Sequence, residues 1–208
     1  MTNTKQKILN ISLKLFNEHG LADVSLRAIS ESATISVGNL QYHFKKREAI
    51  IEELYFQLVA EMDSLIIENS NNLLHSFFEL SSQMIRKLYE YRFFLLDFVT
   101  ITRNNKIIKN HYIELSKRRE EEFLQMVSVF VEGGIFQQSD LNDEFGNLFK
   151  RTEVFSNFWF SSKLIHAENL TEKLIEEYSL LMSQSIYSYL TDLGRTQYKE
   201  IFPNQFDN

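Results

Sequence analysis

Three features of the sequence predict an all-α fold. Only one proline (Pro203) and six glycines punctuate the 208 residues, too few turn formers for a β-sandwich or an enzyme built on many βα loops. Apolar side chains recur at spacings of three and four along most of the chain, the period of an amphipathic helix. Two of the short apolar runs are preceded by a serine, the residue type that caps a helix N-terminus.

Taken in order, residues 5–19 place Ile8, Leu9, Leu13, Leu15 and Phe16 on one stripe, and Gly20 ends it. Ser25 caps a short second helix with Leu26 and Ile29 facing inward, and Ser36 caps a third through Gly38, Leu40 and Phe44. From Arg47 a longer helix runs towards Asn69, with Ile50, Ile51, Leu54, Leu58 and Met62 at helical spacing, until the polar cluster 68–72 breaks it. Further helices are predicted over Leu73–Tyr89 and Phe93–Thr102, the latter closed by Asn104 and Asn105. A long one over Lys106–Glu132 is ended by Gly133-Gly134. After a polar loop from Gln137 to Asp140 come helices over Asp143–His166 and Thr171–Leu193, the last stopped by Gly194. The tail, 195–208, is expected to be loosely held.

Composition removes several classes of function. The chain has no cysteine, which excludes disulfide scaffolds, thiolate metal sites and cysteine nucleophiles. It also permits a reducing, cytoplasmic setting, which is the expected location. The most apolar stretch, Phe93–Ile101, is interrupted by Asp97 and is far shorter than the roughly 20 residues a bilayer span needs, so no membrane partner is expected. Asn10, Ser12 and Lys14 interrupt the N-terminal run, so no signal peptide is expected either. His19, His43, His75, His111 and His166 are scattered without metal-ligand spacing, and there is no Gly-rich phosphate loop or nucleophile elbow. No catalytic residue, metal site or cofactor is predicted.

The formal net charge is −6, an unpromising value for a nucleic-acid binder until it is divided along the chain. Residues 1–51 hold seven Lys/Arg against four Asp/Glu, a balance of +3, so the rest of the chain carries −9. A basic head precedes an acidic body.

That head contains two short helices joined by the turn Ala33-Thr34-Ile35-Ser36. Ile29 and Ala33 of the first are placed to pack on Leu40 and Phe44 of the second, and the small Ala28 and Ala33 allow close approach. This is the build of a helix-turn-helix, whose second helix enters the major groove. Its outward positions include Val37, Asn39, Gln41, Tyr42 and His43. An amide pairs bidentately with adenine, and a valine meets the thymine methyl. Taken singly, Phe44 reads as a core aromatic, His43 as an ordinary surface histidine and Lys45-Lys46-Arg47 as a solvated charge run.

Here the sequence resembles the TetR family of bacterial transcriptional regulators. The likeness runs through Ile8-Leu9, Leu15-Phe16, Gly20, Ser25-Leu26-Arg27-Ala28-Ile29, Ala33, Ile35 to Leu40, Tyr42-His43-Phe44 and Glu48-Ala49-Ile50. Thr34 stands where a glycine is common, Gln41 where a tyrosine is usual, Lys46 at a usual small polar cap and Arg47 in place of a lysine. The resemblance implies a DNA-binding domain of three helices, residues 1–48. It also implies a helical ligand-binding and dimerisation domain, 49–208, in a homodimeric regulator that recognises a double-stranded operator. On that basis Val37, Gly38, Asn39, Gln41 and Tyr42 are base-facing candidates. Arg27 is a candidate for a base or a phosphate. Ser25, His43, Lys45, Lys46 and Arg47 are candidates for the DNA backbone. The expected action is repression of a palindromic operator, relieved by a small apolar or amphipathic ligand; the alternative is a ligand- or protein-binding module without DNA affinity.

The acidic body is rich in aromatics, with sixteen of the eighteen phenylalanines beyond residue 51. Phe93, Phe94, Phe98, Phe123, Phe155, Phe158 and Trp159 are candidates to line a cavity between helices. The last two predicted helices are apolar on more than one face. Leu148, Thr152, Phe155, Leu174, Tyr178, Leu181, Met182 and Tyr189 are therefore candidates for a two-fold four-helix interface, against the simpler reading that one chain buries both faces.

Overall fold

The computed structural model describes residues 3–65, 72–167 and 170–206. Among them the chain forms eleven α-helices: α1 (Asn3–Asp23), α2 (Leu26–Ser32), α3 (Val37–His43), α4 (Arg47–Asp63), α5 (Leu73–Glu90), α6 (Arg92–Leu96), α7 (Phe98–Asn104), α8 (Lys106–Glu132), α9 (Glu144–Leu164), α10 (Lys173–Ser185) and α11 (Asp192–Ile201). The helices fall into two compact units. One comprises Met1–Ser64 and Lys87–Tyr112, the other Leu65–Arg86 and Ile113–Asn208. No described helix is long and apolar enough to cross a membrane.

The first unit is built on the predicted stripe of α1. Ile8, Leu9 and Phe16 are fully buried with Ile29 of α2, Leu40 of α3 and Ile50 of α4. Each such side chain contributes about 1.5–3 kcal/mol of apolar burial. Gly20 takes φ 75° and ψ 166°, a conformation open to glycine alone, and kinks α1 there. Both predicted serine caps form: Ser25 Oγ accepts from Ala28 N and Ser36 Oγ from Asn39 N, each at 3.1 Å. Between them Ile35 N donates to Ser30 O and Thr34 N to Glu31 O, both at 3.0 Å. This is a Schellman closure. Its left-handed position is held by Thr34, at φ 55°, where a side chain without a β-branch fits more easily.

Two expectations for this unit change. Helix α4 ends at Asp63, with Ser64 N bonded to Ala60 O, rather than continuing towards Asn69. Residues 66–71, and so most of the polar cluster 68–72, lie outside the described residues. The single helix expected over Phe93–Thr102 is two helices, α6 and α7, separated at Asp97. The Asp97 carboxylate accepts from Leu21 N at 3.3 Å, just past the kink in α1. Asn17 fixes the other end of α6, donating to Glu90 O at 2.7 Å and accepting from Phe93 N at 3.0 Å. Phe16 and Phe93 pack between these bonds, their ring centroids 5.4 Å apart.

In the second unit, Leu74, Phe78, Val127, Phe130, Ile135, Phe136, Leu148, Ile186, Leu190 and Tyr198 form one buried cluster. Helix α8 spans the predicted residues and ends in a second Schellman closure, with Gly134 at φ 68° and Ile135 N donating to Phe130 O at 2.8 Å. The segment after it pairs with the chain beyond α10: Gln137 N donates to Tyr189 O at 2.8 Å and Thr191 N to Ile135 O at 3.0 Å. The helix expected over Thr171–Leu193 accordingly stops at Ser185, and Gly194 does not end it. Thr191 caps α11, its hydroxyl accepting from Gly194 N at 3.1 Å. Gly194 is required by packing instead, since a Cβ there would lie 2.4 Å from Ile135 O. The tail is not loose through residue 206, because Tyr198 is buried and bonded to Ser183 and Gln205.

Candidate nucleic-acid interface

Helix α3 has one buried side chain, Leu40, and His43 at its end is half-buried; its other residues face outward. Gly38, Asn39 and Gln41 are exposed, Val37 is 38% exposed and Tyr42 84%. A tyrosine left so far from the core contributes almost nothing to folding by burial. Its ring meets only the edge of His43, at 5.2 Å. A row of two amides, a valine and a tyrosine on one short rod offers donors, acceptors and methyl groups, the complement of major-groove base edges. The buried Leu40 and the Ser36 cap fix the rod's rotation and its start.

The flanking basic residues divide by what they already hold. Lys45 and Lys46 are exposed and have no partner among the described residues. Lys46 is also the N-cap of α4 and makes no side-chain capping bond. Arg27 is exposed but pairs with Glu31 one turn on, at 2.8 Å. That hydrogen bond and the nearby carboxylate raise its pKa further above its ordinary value. Arg47 is half-buried and its Nη1 donates to Leu21 O and Val24 O. Its guanidinium thus ties α4 to the α1–α2 connection through Nη1. Lys5 is likewise held, 2.7 Å from Glu53 and over the ring of Phe44. Ser25 is committed to its own cap, which leaves its backbone at the helix start exposed.

The residues expected to line a ligand cavity do not assemble in one unit. Phe93 and Phe94 are core residues of the first unit, Phe94 packing on Tyr55 (5.0 Å) and Phe98 (5.7 Å). Phe123, Phe155, Phe158 and Trp159 belong to the second. There Phe155, Trp159 and Tyr178 form a ring cluster with centroids 4.9–5.7 Å apart. The buried Trp159 Nε1 has no hydrogen-bond partner among the described residues. A cleft of about 640 Å³ opens beside α9, bordered by Asn147, Lys150, Arg151, Val154 and Phe155. In the first unit a polar cleft of about 560 Å³ is bordered by Asn10, Lys14, Glu18, Glu61, Lys87 and Arg92, among others. Of the seven aromatics, these clefts draw on Phe155 alone.

The residues proposed for a dimer also separate. Leu148 and Tyr178 are buried within their own chain. Thr152, Phe155, Leu174, Met182 and Tyr189 are partly buried, and Leu181 is exposed. Val154, Phe158 and Leu180, none of which the sequence pattern assigns to a dimer, are exposed apolar residues on the same two helices.

Comparison with known proteins bears on both units. The family model described as bacterial regulatory proteins, tetR family, matches residues 8–54, and the model described as bacterial transcriptional repressor matches 57–198. The biofilm operon icaADBC HTH-type negative transcriptional regulator IcaR of Staphylococcus aureus is 26% identical over 184 residues, covering 88% of this chain and 82% of that protein. The HTH-type transcriptional regulator UidR of Escherichia coli is 39% identical over 54 residues; the match covers 26% of this chain and only 28% of UidR's length. A TetR-family transcriptional regulator from Marinobacter aquaeolei shares the fold with a TM-score of 0.78 at 23% identity over 98% of both chains. The ketosteroid transcriptional regulator KstR2 of Mycobacterium tuberculosis does so with a TM-score of 0.61 at 15% identity, over 92% of this chain and 97% of that one. With its head and most of its remaining length matched by the two family models, the chain belongs to the TetR family of bacterial transcriptional regulators.

Proposed function

We propose that the chain is a DNA-binding repressor that reads a palindromic operator as a homodimer and leaves it when residues 49–208 take up a small apolar or amphipathic ligand. The observation that carries the DNA reading is the outward face of α3, where Val37, Asn39, Gln41 and Tyr42 stand exposed over the single buried Leu40. Asn39 and Gln41 read base edges, Val37 meets a thymine methyl, and Tyr42 contacts base or sugar. Lys45 and Lys46 neutralise phosphates, which sets register without reading sequence. Residues 1–48 form the reading head in this account. The likeness to IcaR, a negative regulator, favours repression.

Pairing through α9 and α10 is supported by Val154, Phe158, Leu180 and Leu181, exposed apolar side chains of a kind that a second copy covers. The ring cluster at Phe155, Trp159 and Tyr178, with an unpaired indole N–H beside it, is the candidate ligand contact.

A gel-shift titration tests the proposal, using DNA upstream of the protein's own gene and fragments selected from genomic DNA. A preferred, palindromic fragment bound by a dimer is the expected result. No preference for any fragment sinks it.

A further inference from the structure

The sequence contains three runs of sixteen or more residues without Asp or Glu: 1–17, 32–47 and 98–113. The first covers most of α1, and the second covers the turn and α3 of the helix-turn-helix. The third forms α7 and the start of α8 and carries Arg103, Lys106 and Lys109. All three of these cations are exposed and have no ion-pair or hydrogen-bond partner among the described residues. Elsewhere along α8 the charges cancel locally, as in Lys117 with Glu114 and Arg119 with Glu122. The corner is thus a built excess of positive charge.

Its position is fixed relative to the head, because residues 98–112 lie in the same compact unit. Asn105, at the corner itself, donates from Nδ2 to Glu52 of α4 at 3.0 Å. Its Oδ1 accepts from Ile107 N and Ile108 N, which starts α8 at a defined point. Ile101 and Ile108 are buried beneath, so the corner is anchored by packing as well. Glu52 lies five residues along α4 from Arg47, about 7.5 Å at 1.5 Å rise per residue. The contact with the corner therefore sits about one and a half turns along α4 from Arg47, the residue that follows Lys45 and Lys46. Glu48 and Glu52 are the acids on the face of α4 between them, and Glu52 is held by Asn105.

We infer that the α7–α8 corner is a second, sequence-independent contact on duplex DNA, in which Arg103, Lys106 and Lys109 neutralise backbone phosphates outside the half-site that α3 reads. The inference rests on the DNA reading proposed above and extends its footprint. Duplex DNA offers one negative charge per roughly 1.7 Å of axis. Three long cations on a rigid corner therefore find phosphates without a defined base sequence. The exposed Val99 and Ile107 beside them add no sequence preference in this role.

The test uses the full chain and its selected fragment in two lengths, the palindrome alone and the palindrome extended by about one helical turn (~10 base pairs) on each side. Affinity is measured across salt for wild type and for the triple variant Arg103→Gln, Lys106→Gln, Lys109→Gln, with thermal unfolding as a check on the fold. On the extended duplex the variant is expected to bind at least about tenfold more weakly near 0.1 M salt, with a slope shallower by about 0.9 for each phosphate no longer neutralised. On the short duplex it should match wild type. Equal affinity and slope on the extended duplex overturn the inference and leave the corner to a partner of another class. An equal drop in affinity on both lengths also overturns it, since that is general attraction rather than a flanking contact. Failure of wild type to bind any duplex removes the DNA reading itself, and this surface with it.

Discussion

Arg47 Nη1 donates to the carbonyl oxygen of Leu21 at 2.5 Å and to that of Val24 at 3.0 Å. A residue at the start of α4 thereby fixes the connection between α1 and α2, and with it the frame on which α3 is mounted. Charged hydrogen bonds of this kind contribute about 1.5–3 kcal/mol. Arg47→Ala should lower the free energy of unfolding in urea by that amount, with Arg47→Lys recovering part. An unchanged urea midpoint, with affinity for DNA abolished, would instead make Arg47 a phosphate ligand.

Asn39 and Gln41 are exposed on α3 and free to meet base edges. Replacing either with Ala should relax preference by about 1–3 kcal/mol at one base pair in each half-site, while unfolding stays unaltered. A competition titration against single-base operator variants measures this. Equal weakening on every sequence would make the residue a backbone contact.

Lys46 caps α4 without making a capping bond. Lys46→Ser supplies an oxygen acceptor there and should stabilise the fold by about 0.5–2 kcal/mol. The same change removes a cation from the edge proposed to face DNA, so the salt slope of operator binding should fall by about 0.9 per subunit. Calorimetry and a salt titration should therefore move in opposite senses. Parallel decreases in both would contradict the assignment.

Thr34 occupies the left-handed position of the turn at φ 55°. The strain of that conformation for a residue other than glycine is about 1–2 kcal/mol. Thr34→Gly should therefore raise the melting temperature without altering operator preference. A lowered melting temperature would show that the threonine side chain stabilises the turn.

Burial pushes the hydroxyls of Tyr55 and Tyr178 up to about 12 from an ordinary value near 10. Both folded-state values are raised, so below pH 10 the protonated rings contribute their full stability. Between pH 10 and 12 the unfolded chain loses these protons first, and stability falls as pH rises. Ultraviolet titration should show late-ionising tyrosines, and Tyr178→Phe should flatten the alkaline decline. Ionisation of every tyrosine near pH 10 in the folded protein would contradict this.

Much of the head is legible in the sequence because its signals are local. Ser25 and Ser36 stand directly before the helices they cap, and Leu40 and Ile29 fall at helical spacing. Helix α8 is legible for the same reason, with Gly134 closing it. What the sequence conceals depends on distant partners. The break falls at Asp97, which the sequence shows as the one charge in an apolar run, but its partner Leu21 lies 76 residues away and nothing local points to it. Gly194 reads as a helix stop, yet its lack of a Cβ serves contact with Ile135. Arg47 reads as part of a solvated basic run until its carbonyl partners are seen. The aromatic excess carries no order of its own: Phe93 and Phe94 complete the first unit's core, while Phe155 and Trp159 cluster in the second.

Hydroxyl-radical footprinting on the genome-selected fragment tests the central claim, that two copies of α3 enter the grooves of one duplex, most directly. The account predicts two protected patches on one face of the duplex, related by a two-fold axis, with centres separated by about one helical turn (10–10.5 base pairs) or a modest extension of it. Uniform cleavage along the fragment at micromolar protein would contradict it.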